Sequence, residues 1–158
     1  MTVSRMAALI ATSTALTFAQ GLPTEKVLTS DVASAIAQAA IAKCRADGFH
    51  ITVVVLDRGN AYKALLRDDG SGMLSIDVAR GKALAALAFG RSSAEAGKMF
   101  AAIPNAPQSP GLMAVGGALP IKVGEDVIGA VGVSGAPGGE KDEACAAAGL
   151  AKVADRLK

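Results

Sequence analysis

The fold is decided by two apolar runs, ALPIKV at residues 118–123 and VIGAVGVSG at residues 127–135. Between them lies Gly124-Glu125, a glycine-first pair typical of a two-residue type II′ turn, so the runs are predicted to form a β-hairpin. Glycine recurs every third residue in the second run. Because glycine weakens a strand, its repetition indicates close approach by another backbone, a helix or a ligand. We therefore expect a functional site beside this strand.

The rest of the chain alternates between helical and strand-like patterns. A β-branched run at 51–56 and a second run at 61–67, joined by a short turn, predict another hairpin. Apolar periodicity predicts long helices at 32–45, 75–89 and 142–157. Short hairpins favour antiparallel pairing, so the expected fold is one α+β domain with helices packed on an antiparallel sheet.

Composition limits both the core and the partners. The chain has 158 residues, a length typical of one domain. Hydrophobic residues make up 51% of it and aromatic residues only 3%, so the core must consist of Ala, Val, Leu and Ile. The net charge is +2, and the chain has no basic run and few aromatic side chains to stack on bases. These features disfavour nucleic acid as a partner.

The N-terminus, residues 1–19, is predicted to be a signal peptide. Arg5 supplies a positive charge, residues 6–16 are apolar but too short to span a bilayer, and residues 17–19 approximate a small-residue cleavage site. These features favour a periplasmic or secreted protein without a membrane span. The alternative is a cytoplasmic protein, because one arginine and several Thr and Ser residues make a weak leader.

Two cysteines, Cys44 and Cys145, lie on different predicted helices. They could form a disulfide only if those helices are neighbours with Cα atoms within about 7 Å. The favoured interpretation is that both are small buried hydrophobic residues with free thiols. Their spacing does not match a zinc site.

Lys82 lies on a predicted helix, residues 75–89, that is otherwise apolar nearly all round. Such a helix is buried on more than one side, and in a small domain the second surface is often another subunit. A lysine there must reach solvent, pair with a carboxylate or face a cavity. Arg67, Asp68 and Asp69 precede the helix and are predicted to converge with the lysine. The group would bind a carboxylate-bearing ligand or form an internal ion-pair network.

His50 is the only histidine and stands at the start of the first predicted strand. It is a candidate axial ligand to the metal of a haem or corrin, and the alternative is a solvated polar residue at a strand edge. Ser134 lies in the run GVSGA, which lacks the spacing of a nucleophile elbow. No catalytic residue is predicted.

Six segments resemble one known family: VVVLDRG at 53–59, LRDDG at 66–70, GKALAALAF at 81–89, GGALPI at 116–121, IGAVGVSG at 128–135 and DEACA at 142–146. Their order and spacing are similar to those of the GlcG/HbpS-like haem-binding family. The family is also called haem-degrading and includes PduO C-terminal-type domains. The resemblance covers residues 28–158.

The resemblance implies a single-domain α+β sandwich with an antiparallel sheet of about five strands. It also implies homo-oligomers, octamers among them, and binding of haem or, alternatively, cobalamin. Arg67 and Lys82 match family positions, whereas His50 matches no family motif. Ala85 stands near a position where the family commonly has a threonine whose hydroxyl has been linked to haem. An axial ligand would therefore come from elsewhere in this chain, or the tetrapyrrole would be held mainly by packing and propionate contacts.

Three functions follow as hypotheses. The first is an oligomeric binding protein for haem or a related tetrapyrrole, as an accessory redox or haem-stress protein, with Arg67 and Lys82 contacting the propionates. Gly117, Pro120 and Ser134 would belong to a close backbone wall beside the ligand. The second is an enzyme that degrades haem, or acts on a small organic acid at the cluster around Asp69. The third is an oligomeric structural module without a ligand.

Overall fold

The computed structural model describes residue 22 and residues 24–103 and 109–158. The signal peptide predicted at 1–19 lies outside the described residues and stays a prediction. None of the described helices is both long enough and apolar enough to cross a membrane.

The described residues form four helices, four strands and a short 3-10 turn. The helices are α1 (Ser30–Ala46), α2 (Ser75–Phe89), α3 (Ser93–Ala101) and α4 (Gly139–Lys152), and the turn is Ala154–Arg156. The strands are β1 (Thr52–Asp57), β2 (Tyr62–Arg67), β3 (Ala118–Val123) and β4 (Asp126–Ser134).

All strands pair antiparallel in the order β2-β1-β4-β3, so two hairpins lie side by side. The turn of the second hairpin has Gly124 at φ +62°, as the type II′ prediction requires. Strand β4 is central and pairs with both β1 and β3. The predicted α+β class is confirmed, with four strands in the described part of the chain.

Helices cover both faces of the sheet. Because side chains alternate along a strand, Val53 and Val55 of β1 point to one face while Val54 and Leu56 point to the other. The first face packs against α1 and α4, and we call it the α1/α4 face. The second face packs against α2, and we call it the α2 face.

Gly132 shows one cause of the crowding along β4. A Cβ atom there would lie 2.1 Å from the carbonyl oxygen of Ala79 and 2.8 Å from the amide nitrogen of Ala83, both in α2. Real Cβ atoms essentially never come so close to other atoms, so the helix backbone can lie on this strand only where no side chain intervenes. Of the predicted causes of crowding, a helix is therefore the one observed at Gly132.

Helix α2 was predicted to be buried on a second side, and part of that second surface is supplied by the same chain. The backbone N–H of Met113 donates to the carbonyl oxygen of Gly81 at 2.9 Å. A Cβ atom at Gly81 would lie 2.7 Å from Cγ of Met113 and 2.8 Å from the carbonyl oxygen of Gly111. The loop before β3 therefore packs on the outer side of the helix.

The expectation of free cysteines is wrong. Cys44 and Cys145 form a disulfide between α1 and α4, with Cα atoms 5.7 Å apart. The two helices pack side by side on the same face of the sheet, which is the condition that pairing required. Both cysteines are fully buried.

Candidate functional site

Buried polar residues gather at one end of the sheet, where β1 and β3 begin and β2 and β4 end. We call this region the polar end. Because a buried polar group is costly unless it is hydrogen-bonded, each of these side chains requires a partner. The residues are Thr52, Asp68, Ser71, Ser75, Lys82, Ser93, Ser134 and Asp142.

Two predicted site residues lie in one row across the polar end. Thr52 of β1 pairs with Arg67 on one side and with Ser134 on the other. Residues directly opposite one another in antiparallel strands project to the same face, so all three point to the α2 face. Arg67 is exposed on the edge strand, whereas Ser134 is only 9% exposed.

Three buried hydroxyl groups connect this row to the start of α2. The Oγ1 atom of Thr52 lies 2.7 Å from Oγ of Ser75 and 3.1 Å from Oγ of Ser71, and the two serine oxygens are 2.8 Å apart. Arg67 Nη2 donates to the carbonyl oxygen of Ser71 at 2.5 Å. The guanidinium therefore fixes the loop before α2. The spacing of these hydroxyls in the sequence follows no periodicity, and they were not predicted.

Lys82 forms a buried ion pair. Its side chain is 6% exposed, and Nζ donates to Oδ2 of Asp142 at 2.7 Å and to the carbonyl oxygen of Val133 at 3.1 Å. The other carboxylate oxygen of Asp142 accepts from the backbone N–H of Ala136 at 3.0 Å. Burial raises the pKa of the Asp142 carboxyl, against the opposing effect of Lys82. The pair therefore ties α2, β4 and α4 together.

Gly117 lies directly beside this pair. Its φ is +125°, and a Cβ atom there would lie 2.7 Å from Nζ of Lys82 and 2.9 Å from Cβ of Asp142. The predicted backbone wall at Gly117 is thus packed against the ammonium group. Pro120 lies farther along β3, an edge strand, where it pairs with Ala130.

The structure does not bring the predicted cluster of Arg67, Asp69 and Lys82 together. Asp69 is exposed, and its backbone N–H donates to Oδ1 of Asp68 at 3.0 Å. The arginine binds the carbonyl of Ser71, and the lysine is engaged by Asp142. Of the alternatives open for Lys82, pairing with a carboxylate is the one observed.

His50 lies at the polar end beside a buried carboxylate. Its Nδ1 atom is 3.3 Å from Oδ2 of Asp68, which is 3% exposed, while the histidine side chain is 62% exposed. Oδ1 of Asp68 accepts from Arg45 Nε at 2.9 Å and from Nη2 at 2.5 Å. Hydrogen bonding from Arg45 is the main reason that the pKa of Asp68 falls from 3.8 to about 2. The carboxylate is thus ionised under ordinary conditions.

Two open grooves adjoin the polar end. One, of about 570 Å³, runs between α4 and the start of β3 past Gly116 and Gly139. The other, of about 260 Å³, lies between α1 and β2, with Arg45 and Arg67 at its margin. Within the described ranges, no group of three or more His, Cys, Asp or Glu residues is arranged to hold a metal ion. Ala85 is buried in α2 and offers no hydroxyl group.

Known proteins share this fold. A double mutant of HbpS from Streptomyces reticuli is 34% identical, with 88% of this chain and 97% of that chain covered and a TM-score of 0.79. The Klebsiella pneumoniae protein ORFY is 25% identical, with coverages of 87% and 98% and a TM-score of 0.75. A PduOC–haem complex is 19% identical, with coverages of 80% and 95% and a TM-score of 0.70, which shows likeness of fold alone.

No curated protein sequence is significantly similar to the chain. The family model described as haem degrading protein HbpS-like matches residues 28–151, which is most of the chain and includes the whole sheet. The matched region contains every residue of the polar end described above. The chain therefore belongs to the HbpS-like family of haem-degrading proteins.

Proposed function

We propose that the chain is an oligomeric binding protein for haem or a related tetrapyrrole, which it holds at the polar end of the sheet. The observation that carries the proposal is the exposed His50 imidazole, which is anchored through Nδ1 to a buried carboxylate. Membership of the HbpS-like family supports a haem-related function. A protein of the same fold, PduOC, is described in complex with haem.

The side chains at the polar end suit such a ligand. Histidine is a common axial ligand to haem iron, and guanidinium and ammonium groups bind carboxylates such as propionates. Arg67 pairs across the sheet with Thr52, which follows His50 by two residues. The Nζ atom of Lys141 lies 5.2 Å from the ring centroid of Phe49, the residue before His50. Met73, 87% exposed in the loop that follows β2, offers apolar surface. Bound haem would supply a redox-active iron.

The structure changes the roles that we assign to the predicted site residues. Lys82 is engaged by Asp142, so we assign the propionate contacts to Arg67 and Lys141 rather than to Lys82. Lys82 instead holds the end of β4 and keeps the backbone beside Ser134 in place through the Val133 carbonyl.

A second copy of the chain would complete the site. The grooves at the polar end are open, and several large apolar side chains around α2 and on β2 are exposed. Exposed apolar patches on a soluble domain are typical of interaction surfaces. Charged residues of both signs, Asp77 and Arg80, lie among them and could pair across a self-complementary contact between two copies. The apolar residues are Tyr62, Leu65, Met73, Leu74, Met113 and Val115.

A haemin titration followed by absorbance tests the binding function. We expect a saturable change of the Soret band, weakened in Arg67→Ala. The matched control is Arg91→Ala, because Arg91 is exposed and, among the described residues, donates to the nearby Phe89 carbonyl on its own segment. A signal that never saturates at micromolar haemin would overturn the proposal. The remaining hypothesis would then be a structural module without a ligand, for which we expect that haemin also fails to raise the melting temperature of the protein.

Haem degradation is the second candidate, and the family's description favours it. It predicts that the Soret band of the loaded protein decays over time when a reductant is added, whereas a stable band over hours argues for binding alone. Cobalamin and small organic acids are alternatives that none of the comparisons supports. Titration of each in the same assay separates them from haem.

We also propose a periplasmic or secreted location. The Cys44–Cys145 disulfide supports it, because such bonds form and persist mainly in oxidising compartments. Mass spectrometry of the protein from fractionated cells should find a chain shortened by the leader in the extracytoplasmic fraction. An uncleaved chain with free thiols in the cytoplasm would contradict the proposal.

A further inference from the structure

We infer that Asp68, itself fixed by Arg45, is a positioning residue that presents the Nε2 atom of His50 outward as a ligand to haem iron. This inference rests on the proposed haem-binding function and adds to it the ligand atom and the residues that orient the ring.

The hydrogen bonds around Asp68 determine which ring nitrogen of His50 is free. An ionised carboxylate only accepts hydrogen bonds. Oδ1 of Asp68 already accepts from Arg45 and from the backbone N–H of Asp69, so Oδ2 remains for the imidazole. Nδ1 must therefore carry a proton and donate it. In the neutral ring Nε2 then has a free lone pair, which is the form that binds a metal.

Packing holds the histidine while leaving its outer edge open. A Cβ atom at Gly135 would lie 2.4 Å from the carbonyl oxygen of His50, so the end of β4 fixes the histidine backbone. A Cβ atom at Gly70 would lie 3.6 Å from Cγ of the ring, so the loop after β2 supports one side of the imidazole. The remaining surface is accessible, since the side chain is 62% exposed.

This arrangement is the one that metal-binding histidines normally show. Such a histidine donates its second ring N–H to a carboxylate or carbonyl, which fixes the tautomer and makes the metal-binding nitrogen more basic. Asp68 suits this role because it is 3% exposed and is held in place from α1 by Arg45. A histidine that served only as a surface ion-pair partner would not need a buried carboxylate with a second anchor.

The tautomer can be measured before any haem is added. Because His50 is the only histidine, its ring nitrogens give unambiguous signals in a nitrogen-15 NMR spectrum. We expect the neutral ring to be in the Nδ1–H form. Asp68→Ala should shift the ring towards the Nε2–H form, whereas Asp69→Ala, the exposed neighbour, should leave it unchanged. An Nε2–H ring in the unsubstituted protein would overturn the inference.

Haemin titrations of the same variants test the ligand role. His50→Ala should remove the histidine-ligated absorbance spectrum, and added free imidazole should restore it. Asp68→Ala should weaken haemin binding by about 10- to 100-fold, the usual effect of removing such an orienting partner. Arg45→Ala should weaken it in the same direction and serves as the test if Asp68→Ala does not fold.

The outcomes separate the inference from the function on which it rests. Saturable binding with an unchanged spectrum in His50→Ala would overturn the inference and leave haem binding intact. Unchanged affinity and tautomer in Asp68→Ala would likewise overturn the positioning role. If the unsubstituted protein binds no haemin, both the inference and the proposed function fail.

Discussion

The two faces of the sheet are packed in different ways. The α1/α4 face is built from large branched side chains, such as Ile36, Val53 and Val131, and carries the disulfide. The α2 face has Val54 and Leu56 as its only large buried apolar side chains among the described residues, and its other buried apolar residues are alanines. One face thus relies on interdigitated side chains, and the other relies on close approach of a helix backbone to a strand.

The difference determines what each face can tolerate. Interdigitated side chains can shift slightly when one of them changes. Where a helix backbone contacts a strand directly, no side chain lies between them that could move to make room. The α2 face also ends in the polar end, where Lys82, Asp142 and the hydroxyl groups take the place of apolar contacts. The buried part of the polar end therefore lies where the packing leaves least room for substitution.

The largest effect is expected at Gly132. Gly132→Val would place its Cβ 2.1 Å from the Ala79 carbonyl oxygen, so α2 would have to leave the sheet and expose Val54 and Leu56. We expect no folded protein, as judged by circular dichroism and gel filtration. Gly72→Val is the matched control, because a Cβ at Gly72 meets no atom within 4 Å and its φ is not positive. A stable Gly132→Val protein would show that the α2 face is not set by backbone contact.

The sequence was informative where structure is local. The turn at Gly124 and the repeated glycines of β4 predicted the hairpin and its crowding, because both depend on backbone conformation within a few residues. The same pattern could not distinguish a helix from a ligand as the cause. That Lys82 needs a partner was also predictable, since a lysine in an apolar helix requires one.

Partners brought together by the fold could not be predicted. Asp142 lies 60 residues after Lys82, and Cys145 lies 101 residues after Cys44, so each pairing depends on which helices become neighbours. For the cysteines, the sequence favoured burial as free thiols, and the disulfide follows only from the packing of α1 beside α4. The contact between Asp68 and His50 is different, because these residues are 18 positions apart and the predicted β1–β2 hairpin brings them together.

Lys82 provides the next test of the α2 face. Lys82→Met should lower the free energy of unfolding by about 3–5 kcal/mol, because it leaves the buried carboxylate of Asp142 without its charge partner. Urea denaturation measures the loss. Lys98→Met is the control, since Lys98 is exposed on α3.

A second substitution separates loss of the ion pair from loss of packing. In Lys82→Met combined with Asp142→Asn, residue 142 is neutral and its amide oxygen can still accept from Ala136, so the total loss should be well below the sum of the two single losses. A loss equal to that sum would mean that the two side chains contribute independently. The ion pair would then not be what holds α4 to α2.

The smallest of the three effects is expected for the disulfide, although it closes a long loop. Replacing both Cys44 and Cys145 with alanine removes a cross-link that constrains the unfolded chain, so the free energy of unfolding should fall by about 2–4 kcal/mol. The protein should stay folded, because the branched side chains of the α1/α4 face still pack around two small residues. Urea denaturation of the double variant measures the loss, and a thiol assay confirms that the unsubstituted protein has no free cysteine. Complete unfolding of the variant would mean that the cross-link, rather than side-chain packing, maintains this face, and the contrast with the α2 face would no longer hold.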